Sequence, residues 1–188
     1  NFYLKSSNIQ GFDNYKIFLL VTFLFFALGI LDDIFQLSFF IKLICQIAIA
    51  SYGFSQGFKF NLLEISTLYL SGDSILYNSI IYFVTVIWIV GIVNAFNWVD
   101  GLDGLASGLV TITSFGLIFI VNNGNYEPTM MLILLAFIAS NIGFIFHNFY
   151  PAKIFMGDGG SYFIGSVIAF LSINKEVFPL ANYFSFTN

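Results

Sequence analysis

Apolar residues dominate the chain in six long runs that short polar stretches separate. The runs lie at roughly 17–31, 39–55, 78–97, 105–121, 130–147 and 161–174. A helix needs about 20 mostly apolar residues to cross the hydrocarbon core of a bilayer. Backbone groups in lipid must bond to each other, which favours helices for such runs. The pattern predicts an all-α integral membrane protein, a polytopic helical bundle with about six transmembrane helices in residues 1–188.

The polar stretches fall on two sides when the predicted helices are followed alternately across the bilayer. Side A receives Asp32 and Asp33, the stretch 97–104 and the stretch 148–160, whereas side B receives the loops 56–77 and 122–128. Three aspartate-containing motifs therefore share side A: LGILDD, NAFNWVDGLDGLASG and NFYPAKIFMGDGGS. Their common side predicts a single site.

Composition supports a membrane protein and narrows its partners. The chain is 59% hydrophobic and 9% charged, whereas about 25% of residues are charged in soluble domains. The net charge of −4 gives no reason to expect a nucleic-acid partner. The motifs hold half of the 10 acidic residues, and carboxylates near a bilayer are costly and usually functional. The lysines, taken alone, would weakly place side B in the cytoplasm.

The first motif combines two carboxylates with a lysine. Asp32 and Asp33 are adjacent, so on a helix they point about 100° apart. One can bind a metal while the other orients a lysine or takes a proton, and the sequence leaves open which does which. Lys42 follows on the same side, where it either extends harmlessly to the interface or holds a phosphate. A solvated helix end is the alternative interpretation.

The second motif carries amides and carboxylates three residues apart. Asn94, Asn97, Asp100 and Asp103 would form one polar stripe if the helix continued through them. Such side chains suit a nucleobase, ribose hydroxyls or hydrated Mg²⁺. The alternative is an Asx and glycine turn between two helices.

The third motif joins Asn148 to a Gly-Asp-Gly-Gly-Ser turn that opens the last predicted helix. Exposed backbone N–H groups at a helix N-terminus favour phosphate, and Asp158 would be compatible with it through a bridging cation. A plain N-cap aspartate is the alternative. Oxygen ligands without a Cys or His cluster predict Mg²⁺ or Mn²⁺, not zinc.

Taken in order, these motifs closely resemble those of the polyprenyl-phosphate N-acetylhexosamine-1-phosphate transferases. That family includes the undecaprenyl-phosphate GlcNAc-1-phosphate transferases and the phospho-N-acetylmuramoyl-pentapeptide transferase, and the resemblance spans about residues 25–170. It implies Mg²⁺-dependent transfer of a sugar-1-phosphate from a UDP-N-acetylhexosamine to undecaprenyl (polyprenyl) phosphate. UMP would be released, in cell-wall or surface polysaccharide biosynthesis. The alternatives are a membrane transporter that uses interfacial carboxylates and an inactive fragment or scaffold.

The resemblance also implies roles for individual residues. The catalytic residues would be Asp32, Asp33, Asp100 and Lys42. The nucleotide-binding residues would be Asn94, Asn97, Asp103 and Asn148. The metal ligands would be Asp158 and Asp32.

The resemblance further implies a place and partners for the protein. It would be a multi-pass protein of the bacterial inner (cytoplasmic) membrane, with side A facing the cytoplasm. The distribution of lysines alone would weakly favour the opposite orientation. Its partners would be the UDP-sugar, the polyprenyl phosphate and the lipid bilayer, and a homodimer is left open. Residues 1–188 would be one transmembrane domain, a fragment that lacks N-terminal helices and a C-terminal His-rich segment of the family. The segment SFFIK also departs from a more usual Pro- and Arg/Lys-containing sequence.

Overall fold

Six α-helices make up the described part of the chain in a computed structural model. The structure describes residues 2–60, 75–122 and 128–173, and side chains within 15–60, 75–119 and 131–173. The helices are α1 (Phe2–Phe35), α2 (Phe39–Ser55), α3 (Ile75–Val99), α4 (Leu105–Asn122), α5 (Pro128–Asn148) and α6 (Gly157–Ile173). Their number confirms the prediction, and α2 has the predicted bounds. The predicted loops fall partly at 61–74 and 123–127, outside the described residues.

Four helices begin earlier than the hydrophobic runs indicated, α1 and α6 by the most. Helix α1 extends back to Phe2, so it includes a polar segment before the apolar run. Hydropathy marks where a helix is apolar and not where the helix begins. Helix α6 begins at Gly157, so its first turn contains the Gly-Asp-Gly-Gly sequence that was expected to precede it. Asp158 is therefore a helical residue.

The helices are apolar on the faces that point away from the bundle. Among the described residues, three segments are long and apolar enough to cross a membrane: Tyr15–Phe35, Ile75–Val99 and Met131–Asn148. Two apolar segments are shorter, Phe39–Ser55 and Leu105–Phe119. Large outward side chains such as Ile87 and Phe119 are 68% and 71% exposed, as expected for surfaces that meet lipid. The protein is thus an all-α membrane protein.

Helix α6 lies at the centre of the bundle and positions the site. It packs mainly against α1 and α3, and also contacts α4. Helix α2 packs against α1 and α3, while α4 and α5 pack against each other. Tyr162, Phe170 and Leu171 of α6 are almost completely buried.

Glycines allow the central helix to approach its neighbours closely. A Cβ atom at Gly29 of α1 would lie only 2.6 Å from the carbonyl carbon of Asp158, and one at Gly165 would lie 2.9 Å from the Cα of Val93. Small residues at helix crossings are typical of membrane bundles, where packing drives association. The first turn of α6 is thereby held against the end of α1, and its middle against α3.

Candidate functional site

Asp33 of α1 caps the N-terminus of α6 from the outside. The N–H of Asp158 donates to Asp33 Oδ1 at 2.9 Å, and the N–H of Gly159 donates to Oδ2 at 3.0 Å. Gly157 has a φ of +69°, which glycine adopts without steric cost, and its N–H faces the carboxylate of Asp100. The first N–H groups of a helix have no partner within it and favour negative charge. Two carboxylates from the other two motifs supply that charge.

This arrangement corrects two expectations about the third motif. The N–H groups of Asp158 and Gly159 were expected to be exposed and available to phosphate, but both are bonded to Asp33. Asp158 was the alternative candidate for the N-cap, but it lies within the helix and Asp33 provides the cap. The sequence could not reveal this because the cap comes from another helix, 125 residues away.

Asp32 and Asp158 share a lysine beside this helix end. Lys42 Nζ lies 2.5 Å from Asp32 Oδ2 and 3.9 Å from Asp158 Oδ2. The two carboxyl groups also interact directly with each other. Asp32 is only 3% exposed, and its Oδ1 accepts the N–H of Leu37 at 3.0 Å. The first and third motifs thus form one charged cluster, as their common side predicted.

Two residues of the second motif reach this cluster. Asn97 Nδ2 donates to Asp158 Oδ1 at 2.6 Å and to Ser161 Oγ at 3.0 Å. Asp100 follows the end of α3, where burial raises the pKa of its carboxyl group to about 6. The negative charges of Asp158 and Asp33 raise that pKa further, and the N–H of Gly157 opposes them. The pKa of Asp100 is therefore raised first by burial and then by the negative charges of two neighbouring carboxylates.

The other two residues of the predicted stripe bond elsewhere. Helix α3 ends at Val99, so the three-residue spacing no longer places all four side chains in line. Asn94 Nδ2 donates to Gln46 Oε1 at 2.6 Å and to the Val90 carbonyl at 2.8 Å. Asp103 Oδ2 accepts the N–H of Ala152 at 2.9 Å. The helix does not continue and a turn follows it, which was the alternative interpretation, so the single stripe does not form. The proposed nucleotide contacts of Asn94 and Asp103 stay predictions.

Asn148 is buried and holds two loops together. It is 3% exposed, and its Oδ1 accepts the N–H of Gly104 at 3.1 Å and the hydroxyl of Ser107 at 3.0 Å. Its Nδ2 donates to the carbonyl of Ile154 at 3.0 Å. The amide therefore links the turn after α3 to the loop before α6. A direct contact with a nucleotide stays a prediction, and it would require Asn148 to exchange one of these partners.

Two site residues were missed at the level of sequence. The Tyr162 hydroxyl donates to Asp32 Oδ2 at 3.4 Å, and Gln46 pairs with Asn94. Both side chains are 1% exposed. A lone glutamine within the apolar run of α2 was the available signal for Gln46. Nothing in the sequence distinguished Tyr162 from the many aromatic residues around it.

The donor set suits a cation that substrate helps to hold. Among the residues that the structure describes, no group of three or more His, Cys, Asp or Glu side chains could hold a metal ion. Mg²⁺, however, usually takes one or two protein carboxylates and completes its shell with water and substrate phosphates. Adjoining carboxylates at Asp32 and Asp158 fit that pattern. They do not form a cage for a structural metal.

Known proteins match this chain over most of its length. Residues 15–176 match the model of the family described as Glycosyl transferase family 4. A probable undecaprenyl-phosphate N-acetylglucosaminyl 1-phosphate transferase of Bacillus subtilis is 41% identical over 151 residues, which are 80% of this chain and 41% of that protein. A decaprenyl-phosphate N-acetylglucosaminephosphotransferase of Mycobacterium leprae is 39% identical, over 76% of this chain and 37% of that protein.

A third relative matches a shorter part of this chain. It is a phospho-N-acetylmuramoyl-pentapeptide-transferase of Lactiplantibacillus plantarum, 46% identical over 88 residues, which are 47% of this chain and 27% of that protein. The chain thus spans about two fifths or less of the length of these relatives.

Proposed function

This chain belongs to glycosyl transferase family 4, and on that premise we propose that it carries the catalytic centre of a Mg²⁺-dependent phosphosugar transferase. The donor is a UDP-N-acetylhexosamine, the acceptor is undecaprenyl or another polyprenyl phosphate, and UMP is released. One observation carries the proposal: carboxylates from all three motifs meet at the first turn of α6, where Asp33 binds its N–H groups and Lys42 lies near Asp158. The three relatives are named as transferases of this kind.

The reaction exchanges one phosphoanhydride bond for another. An oxygen of the lipid phosphate attacks the β-phosphorus of the UDP-sugar, and the bond from that phosphorus to the bridging oxygen breaks. UMP leaves with the electron pair. A phosphate monoester has a second pKa near 6, so the nucleophile is already mostly ionised at neutral pH, and a base adds little beyond removing a residual proton.

Asp158 and Asp32 would hold the cation, Mg²⁺ or Mn²⁺. When bound, the cation would supply positive charge that stabilises the charge developing on leaving UMP. Lys42 supplies a second positive charge. It is 28% exposed at its side chain, so it can transfer part of its interaction from Asp32 to an incoming phosphate.

The remaining side chains position these groups. Asn97 holds one oxygen of Asp158 at 2.6 Å, which leaves the other oxygen facing Lys42. Asp33 holds the first turn of α6, and we assign it an effect on turnover through Asp158. Asp100 adds negative charge that a cation would offset. Asn94, Asp103 and Asn148 are proposed to shape the nucleotide end of the pocket, as the resemblance implies.

The place of the site in the bilayer agrees with this function better than with transport. Asp32, Asp100 and Asp158 lie at helix ends on one side of the bundle, whereas transporters bind their cargo near the midplane. We place the protein in the bacterial cytoplasmic membrane with this side facing the cytoplasm, where the UDP-sugar is available. The pathway would be cell-wall or surface polysaccharide synthesis.

Release of UMP tests the proposal. The complete gene product, purified in detergent, is expected to release UMP from UDP-N-acetylglucosamine only when polyprenyl phosphate and Mg²⁺ are both present. Asp158→Asn is expected to abolish this turnover, because an amide keeps the shape of the side chain but not the charge that holds the cation. Asp13→Asn is a charge-matched control, since residue 13 lies 20 positions before Asp33 on α1, about 30 Å along the helix.

The controls separate chemistry from folding. Both variants are compared with the parent by size-exclusion chromatography and thermal unfolding. Near-normal turnover of Asp158→Asn at low Mg²⁺ would show that another carboxylate is the main ligand. No UMP release by the parent with any UDP-N-acetylhexosamine and either cation would overturn the proposed function.

A further inference from the structure

A chain of polar side chains, buried except for the half-buried Asn94, leads from α3 to the charged cluster. Asn94 donates to Gln46 Oε1 at 2.6 Å, and the Gln46 side chain also interacts with the Tyr162 hydroxyl. That hydroxyl donates to Asp32 Oδ2 at 3.4 Å. We refer to Asn94, Gln46, Tyr162 and Asp32 as the buried polar chain. Each of four helices, α3, α2, α6 and α1, contributes one member.

The burial of the polar side chains in this set requires an explanation. Gln46 and Tyr162 are 1% exposed, and Asp32 is 3% exposed. A hydroxyl or amide buried among apolar helices costs free energy unless it is hydrogen-bonded, and an apolar side chain of similar size would avoid that cost. Polar residues inside membrane segments are typically functional or paired with such residues.

The direction of the hydrogen bonds determines how these polar side chains can restrain the Asp32 carboxylate. Gln46 accepts from Asn94 with its oxygen and donates one Nε2 proton back to Asn94 Oδ1 at 3.5 Å, so the second Nε2 proton is the one that can be donated toward the Tyr162 oxygen. Tyr162 then has one proton to give, and it gives it to the Asp32 oxygen that Lys42 contacts. The chain therefore restrains the rotation of the Asp32 carboxylate on the side away from solvent.

We propose that Tyr162 is a positioning residue, which Gln46 orients and which fixes the Asp32 carboxylate toward Lys42 and Asp158. The inference rests on the proposed function, because Asp32 matters only if this cluster binds the cation and the phosphates. Tyr162 does not touch substrate in this proposal. Its effect falls on turnover, with the binding of the nucleotide sugar left unchanged.

Tyr162→Phe removes the hydroxyl and keeps the ring. A hydrogen bond to a charged group is worth enough to change a rate by about 10- to 100-fold, and the 3.4 Å length places the expected loss of kcat near tenfold. The KM for the UDP-sugar is expected to stay within about twofold of the parent value. Tyr162 is 1% exposed, and in this proposal it contacts Asp32 and not the nucleotide.

Tyr82→Phe is the matched control. Its hydroxyl also joins two helices, through Ser51 Oγ at 2.8 Å, but neither residue belongs to the charged cluster. If Tyr162 only stabilises helix packing, the two variants should lower the unfolding temperature similarly and change kcat similarly. A tenfold loss of kcat confined to Tyr162→Phe supports positioning, whereas equal kcat values for Tyr162→Phe, Tyr82→Phe and the parent overturn it.

Gln46→Met provides a second test, and the decisive one if Tyr162→Phe does not fold. It breaks the chain one link earlier, so a smaller loss in kcat, about threefold, is expected, and any change in KM is attributed to Asn94, which loses its partner in this variant. The double variant is expected to be no slower than Tyr162→Phe alone, because members of one hydrogen-bonded unit are not additive. Strictly multiplicative losses, or a change in KM alone, would overturn the inference.

Binding of Mn²⁺ without substrate gives a readout besides activity. Electron paramagnetic resonance of the complete gene product should show several-fold weaker Mn²⁺ binding in Tyr162→Phe than in Tyr82→Phe, because Asp32 is then less well held. If the parent binds Mn²⁺ and Tyr162→Phe weakens that binding, but no UMP is released, the positioning stands and the proposed reaction fails. If the parent is active and Tyr162→Phe equals it in both kcat and Mn²⁺ affinity, only the inference on Tyr162 fails.

Discussion

Asp33→Asn tests whether the carboxylate of α1 holds the first turn of α6. The carboxylate accepts two backbone N–H groups, at 2.9 and 3.0 Å. Asparagine has a single acceptor oxygen, and its NH₂ group would face the second N–H, which is itself a donor. Hydrogen bonds to charged groups contribute about 1.5–3 kcal/mol, and an unpaired donor costs about 1–3 kcal/mol.

Because Asp33 is exposed, the total free-energy cost of these lost interactions is expected at the lower end of that range. Its side chain is exposed, so water replaces part of each lost interaction. We expect the first turn of α6 to lose about 2–3 kcal/mol of local stability. Since about 1.4 kcal/mol corresponds to a factor of ten, its opening should become about 30- to 150-fold more frequent.

Amide hydrogen exchange measures this opening directly. Peptides that cover residues 156–161 of the detergent-purified protein should exchange faster in Asp33→Asn by about that factor. Asp103→Asn is the control, because it removes one negative charge while its remaining oxygen can still accept the N–H of Ala152, so exchange in the first turn of α6 should stay unchanged. Turnover of Asp33→Asn should fall more than nucleotide affinity, since the displaced residues are Asp158 and its partner Asn97.

Two results would refute this reasoning. Unchanged exchange of the amides of Asp158 and Gly159 in a folded Asp33→Asn protein would show that the cap contributes little. Loss of uridine-nucleotide binding with normal exchange would show that Asp33 acts on the nucleotide, and the division of roles would be wrong.

Three further outcomes are expected. Asn148→Ala should weaken UDP-sugar binding by about 1–3 kcal/mol, because it removes the proposed hydrogen bond to the nucleotide and the amide that links the turn after α3 to the loop before α6; normal affinity in a titration would remove Asn148 from the nucleotide pocket. Affinity for Mn²⁺ should fall as the pH decreases through about 6, because the carboxyl group of Asp100, with its pKa raised to about 6, becomes neutral there. Asp100→Asn should flatten that pH dependence, and an unchanged slope by paramagnetic resonance would contradict it. Lys42→Gln should raise the KM for polyprenyl phosphate at least tenfold while Mn²⁺ affinity increases or stays constant, since one positive charge is lost beside Asp32; a weaker affinity for the cation in a folded variant would argue against the charge balance.

The helices and the common side of the motifs could be predicted from the sequence. Continuous apolar runs give helix positions because the bilayer sets their length, and alternation across the membrane brings Asp33, Asp100 and Asp158 to one end. That convergence is observed through the bonds to the first turn of α6. The roles assigned to individual residues stay predictions.

Pairings between helices could not be predicted. The i, i+3 spacing of the second motif describes a helix, but the helix ends at Val99, so Asp103 bonds to a loop. Asp33 was expected to act on substrate, and its role as a cap depends on how α1 lies against α6. Tyr162 looks in the sequence like any aromatic residue of a membrane helix. Its hydroxyl acquires a partner only when α6 is placed beside α1.

Gly29 sets the separation of Asp32 from Asp158 through the absence of a side chain. Because a Cβ atom at Gly29 would overlap the backbone of Asp158 and Gly159, any side chain there would push the end of α1 away from the first turn of α6 and so separate Asp32 from Asp158. The hydrogen bonds from the first turn of α6 to Asp33 and the contacts of Lys42 with Asp32 and Asp158 offset the mutual repulsion of the carboxylates, so this part of the site is formed before a ligand binds. A rigid arrangement of charges that is built before the ligand binds is what electrostatic catalysis requires, and in this protein a hydrogen atom in place of a methyl group provides it.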